Sequence, residues 1–106
     1  MEKKEKLKEF ALEMKEGFQL VKEKRDEEAI QKLQPFVELM RRSKAPNIRL
    51  FSAYSIAQIR TGDLDGFLQT YSEVKDMEPR SDEETKYKMQ LDGFFHDLMT
   101  ELQKQE

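Results

Sequence analysis

The chain has no cysteine, one histidine, four glycines and three prolines among its 106 residues. Without a thiol there is no disulfide framework, no thiolate metal site and no cysteine nucleophile, a usage that fits a reducing compartment. Long apolar runs are also missing. No window approaches the roughly 18 apolar residues of a membrane span, and the opening MEKKEKLKEF is charged where a secretory signal needs an apolar segment. A cytoplasmic protein with no membrane partner is the expectation. No run of alternating β-branched residues marks a strand.

Charge is abundant: 39% of residues are charged and 37% are hydrophobic. The apolar residues recur at helical spacings, so one folded domain over residues 1–106 is expected rather than disorder. The net charge of −3 conceals an asymmetry. Residues 1–53 hold thirteen Lys/Arg and ten Asp/Glu, whereas residues 54–106 hold six and twelve. That field can orient a partner or a second copy. Acids are interleaved with bases even in the basic half, which argues against nucleic acid as a partner.

Leu7, Phe10, Ala11, Met14, Phe18 and Val21 recur every three or four residues and predict a helix over 3–24. Asp26 is a candidate N-cap for a second helix over 27–41, with Ala29, Ile30, Leu33, Phe36, Val37 and Met40 facing the core. Pro35 within it predicts a kink or a break. Pro46 suits the first turn of a third helix over 47–61, which carries Leu50, Phe51, Ala53, Tyr54, Ile56, Ala57 and Ile59. Gly62-Asp63 then closes one helix and caps the next, over 64–77. Ser81 with Glu84 forms a capping box for a fifth helix over 82–103.

The tetrapeptide Leu64–Phe67 returns as Leu91–Phe94. The repeat is a coincidence, because it is out of step with a longer register in which Gly17, Ser55 and Gly93 stand at equal intervals. That register also superposes Val21 on Ile59, Ala29 on Phe67, Ile30 on Leu68, Leu33 on Tyr71 and Phe36 on Val74. It predicts that Gly93, like Gly17, marks a close helix crossing.

Residues 10–41, through Gly17, Leu20 and Ala29, and residues 48–79, through Phe51, Tyr54, Gly62, Asp63, Tyr71 and Pro79, resemble the tetratricopeptide repeat. The departures are Lys24-Arg25 where the family has Gly-Asp, Ser55 for its small glycine and Phe67 for its alanine. The resemblance implies an all-α fold of two antiparallel hairpins plus a C-terminal capping helix. It further implies a concave groove, formed by the first helix of each pair, that binds a peptide or partner helix.

Carried onto this chain, the groove residues are Met14, Phe18 and Val21, then Ser52, Ile56 and Ile59 with Arg49 and Arg60, and Phe94. These positions are mainly apolar, which disfavours a clamp for a C-terminal carboxylate. An ordinary antiparallel bundle satisfies the same periodicity, and in it Phe18, Ile56 and Phe94 meet in a closed core. A self-associating protein that uses its apolar stripe as a homodimer interface is the alternative function.

Enzymatic chemistry finds no support. Asp92 and His96 share a helix face but lack a nucleophile and further metal ligands. Asp26-Glu27-Glu28 and Asp82-Glu83-Glu84 are accounted for by the positive ends of helix dipoles. Asp63-Leu64-Asp65 lacks the later ligands of a calcium loop, and no phosphate cradle is present. No enzyme, cofactor or metal is expected. Arg41, Arg42 and Lys44, with Arg49 behind them, form the densest basic patch. Lys3, Lys4, Lys6 and Lys8 alternate with Glu2, Glu5 and Glu9, as on a solvated helix.

Overall fold

The computed structural model describes residues 2–104, with side chains from residue 8 onward. The side chains of Glu2, Lys3, Lys4, Glu5, Lys6 and Leu7 therefore lie outside what is described. Five helices follow one another: α1 (Glu2–Lys22), α2 (Asp26–Ser43), α3 (Ile48–Arg60), α4 (Leu64–Lys75) and α5 (Asp82–Lys104). The fold is all-α, with no strand among the described residues.

The helix ends follow from local chemistry. α1, α2 and α3 each stop in the same two-bond motif, with Lys24, Lys44 and Gly62 in the left-handed conformation. At the first, Lys24 N–H donates to the Val21 carbonyl and Arg25 N–H to that of Leu20. Lys44 with Ala45 and Gly62 with Asp63 repeat the pattern. Lysine holds that conformation at a cost of roughly 1–2 kcal/mol per residue, which glycine avoids. The side chains of Asn47, Asp63 and Ser81 accept from the backbone N–H of Leu50, Gly66 and Glu84 at 3.0–3.1 Å. In the capping box, Glu84 returns to the N–H of Arg80 rather than Ser81.

Three local expectations are corrected. Asp26 is the first residue of α2, not its cap, and its carboxylate is held by Arg60 instead. Pro46 precedes the cap Asn47 and so lies outside α3. Of the kink or break expected at Pro35, the break is excluded, since α2 continues through that residue. Pro35 and Gln31, whose carbonyl loses its donor, are both exposed, so water can take that carbonyl.

α3 is the centre of the molecule. It packs against all four other helices, α1 packs on α2, α4 touches α5, and the backbones of α1 and α5 do not approach each other among the described residues. Phe51, Leu50, Leu33, Phe67, Val74 and Leu91 are at most 2% exposed, and each buried side chain of this size contributes about 1.5–3 kcal/mol of transfer free energy. The result is elongated, 58 × 28 × 24 Å.

The sequence register reappears in burial. Ala29 and Phe67, Leu33 and Tyr71, and Phe36 and Val74 are all buried, as are Gly17 and Ser55. Gly93 breaks the register, contrary to expectation. A Cβ at Gly17 would lie 2.7 Å from Leu33 Cγ, whereas one at Gly93 would meet nothing within 4 Å. No helix packs on that side of α5 among the described residues, so Gly93 faces open space. The second close-packed glycine is Gly66, in the first LDGF, where a Cβ would crowd the Asp63 cap and Gln58 Nε2.

Two polar clusters tie α4 to its neighbours, one to α2 and one to α5. Arg41 Nε donates to Glu73 at 3.0 and 3.1 Å, and its Nη atoms reach Glu38 and Thr70, so this arginine is committed internally rather than to a basic surface patch. Tyr71 stacks on Phe95 at 4.7 Å and donates to Asp92 Oδ1 at 2.6 Å. Asp92 is thus engaged across helices by Tyr71. Burial, assisted by the neighbouring Asp92 carboxylate, pushes the Tyr71 phenol up to about 12.

Candidate functional site

The backbones of α1 and α5 both pack against α3 but not against each other, and a channel remains between them with α3 as its floor. The floor is a single helical stripe: Arg49, Ala53, Ile56 and Arg60 follow at intervals of four, three and four residues. Phe18, Val21 and Lys22 of α1 form one wall, and Tyr87 and Gln90 of α5 form the other. The volume between them is about 210 Å³.

Of the nine residues expected to line a groove, the fold brings five together here: Phe18, Val21, Arg49, Ile56 and Arg60. Ser52 is fully buried, and its hydroxyl has no hydrogen-bond partner. Met14, Ile59 and Phe94 are half-buried against the core and stand outside the lining. The expected α3 face, Ser52–Ile56–Ile59, is therefore rotated relative to the observed stripe. α3 is buried on several sides, so apolarity alone does not say which side stays open.

Lys22, Ala53, Tyr87 and Gln90 were not anticipated as groove residues. The four-three-four spacing of Arg49, Ala53, Ile56 and Arg60 was the available signal. Arginines bracketing two apolar residues mark the one α3 stripe with a polar rim.

The rim arginines differ in their freedom. Arg60 Nη1 donates to the Val21 carbonyl at 3.0 Å and to Asp26 Oδ1 at 3.2 Å, locking the end of α1 to the start of α2. The Arg49 guanidinium lies over the Phe18 ring, 4.5 Å from its centroid, and is exposed. Nearby, Tyr87 donates to Glu83 Oε1 at 3.0 Å. Burial, with help from Glu83, raises its phenol above the ordinary value, and Arg49 opposes the rise.

A larger recess of about 720 Å³ lies among Met40, Arg41, Phe51, Glu73, Met77 and Arg80. Arg41 and Glu73 in it satisfy each other, and Lys44, Asp76, Glu78, Arg80 and Glu84 also border it. Among the described residues, no group of three or more His, Asp or Glu side chains is placed to hold a metal ion, and no helix is long and apolar enough to cross a membrane. No protein-family model, curated protein or solved structure matches this chain.

Proposed function

We propose that this protein is a non-enzymatic interaction or regulatory adaptor of the cytoplasm, built from tetratricopeptide-like hairpins, whose α1–α3–α5 channel holds a peptide or helix of a partner protein. The carrying observation is the gap between α1 and α5 over an α3 floor of Arg49, Ala53, Ile56 and Arg60. Supporting it, the contacts between helices follow the order of stacked hairpins, with the first helix of each pair adjacent to the next.

Ala53 is half-buried on the channel floor, so Ala53→Arg fills the channel from its open side. Affinity capture from the native host is expected to recover a partner with the wild type and to lose it with this variant, at unchanged far-UV circular dichroism. Equal recovery by both proteins would sink the channel reading.

A homodimer is the second reading, favoured by Phe10, Leu12 and Leu39, which are each more than 40% exposed on the outer hairpin. Sedimentation at micromolar concentration separates the two readings: the adaptor is a monomer.

A further inference from the structure

The lining also indicates what the channel selects, an inference that rests on the channel reading above. Three of its side chains are cationic, Lys22, Arg49 and Arg60, and none is a carboxylate. This is so although acids outnumber bases in the chain, 22 to 19. Arg60 is spent on Val21 and Asp26. Arg49 has no ion-pair partner among the described residues. The Phe18 ring lies beneath it and sets the guanidinium next to apolar surface. An apolar cavity of about 150 Å³ suffices for a benzene ring, so 210 Å³ admits one aromatic or leucyl side chain.

We propose that the occupant is a partner-protein segment that inserts one aromatic or leucyl side chain between Phe18, Ala53 and Ile56. Within a helical turn of that anchor it sets a side-chain carboxylate against Arg49. The apolar recess supplies the contact area, and the guanidinium supplies a planar fork that matches a carboxylate. Arg49 is then the specificity-determining residue, and Phe18 positions it.

Fluorescence anisotropy on the full chain tests this with three labelled helical peptides of about fourteen residues. All three share one Leu/Phe stripe, have both termini blocked to remove the end carboxylate, and carry Glu, Gln or Lys beside the stripe. The Glu peptide is expected to bind roughly tenfold tighter than the Gln peptide at low salt, with the Lys peptide weakest. Arg49→Gln should abolish that preference and Arg49→Lys should restore part of it. Arg49 is exposed, so neither variant opens the core.

Equal binding of the Glu and Gln peptides, or a preference that survives Arg49→Gln, overturns the carboxylate assignment and leaves the channel reading intact. Binding that survives Ala53→Arg overturns the channel reading itself. Failure of all three peptides to bind, or a wild-type dimer that Ala53→Arg dissolves, overturns the proposal, the latter by assigning the channel to a second copy.

Discussion

Gly17 and Gly93 are the same residue type in the same sequence register, yet replacing each by alanine should have opposite effects. At Gly17 the added methyl meets the fully buried Leu33, which must shift within the core to admit it. Overpacking of this kind costs about 1–3 kcal/mol. At Gly93 nothing stands in the way, and alanine's better helix propensity stabilises by about 1 kcal/mol. Urea denaturation of both variants checks the contrast; a stabilised Gly17→Ala would mean that α1 and α2 are less closely packed than described. A glycine in a helical pattern announces that something is unusual, but only the neighbouring helix says whether it is a close approach or an empty surface.

At the scale of an element, the α4–α5 junction combines the buried Tyr71 phenol with Lys88 Nζ, which donates to the Lys75 and Met77 carbonyls. Tyr71 is protonated in the fold well past the pH at which a solvated tyrosine ionises, with its phenol at about 12 against an ordinary value of 10.0. Since the folded value is raised, the stabilisation it reflects is complete below pH 10 and is lost as pH climbs from 10 towards 12. The wild type should therefore weaken along that alkaline limb, and Tyr71→Phe should flatten it while lowering stability at neutral pH by about 1 kcal/mol for the lost bond to Asp92. Thermal denaturation across the alkaline range is the measurement; identical slopes for both proteins would remove Tyr71 as the cause. Helix limits themselves were legible to within two residues, because cap and stop signals such as Gly62-Asp63 and Ser81 act within one turn. Lys24 and Lys44 were harder to place, since a lysine in the left-handed conformation carries no sequence mark.

For the whole molecule, α3 touches every other helix, and residues 8–13 of α1 are exposed throughout. Amide hydrogen exchange should be slowest in α3 and fastest, by local opening, in that exposed part of α1. Comparable protection in the two segments would show that the outer part of α1 is covered in solution, as a dimer through Phe10 and Leu12 requires. About half of the candidate channel could be read in advance. Phe18, Val21 and Ile56 carry the helical stripe, and Arg49 and Arg60 flank it. Ala53 was legible only through its spacing between Arg49 and Arg60, and Gln90 not at all, because neither residue type stands out until the open side of α3 is known.

By itself the sequence determined five helices, their ends and an all-α fold, since apolar spacing, capping and the lack of strand signals are local properties. Tertiary structure alone decided that α1 and α5 stay apart, that Ser52 is buried while Ala53 faces the channel, and that Gly17 is crowded while Gly93 is free. Each of these depends on which faces of α3 are covered by helices distant in the chain, and a periodic pattern specifies an apolar face without naming what packs on it.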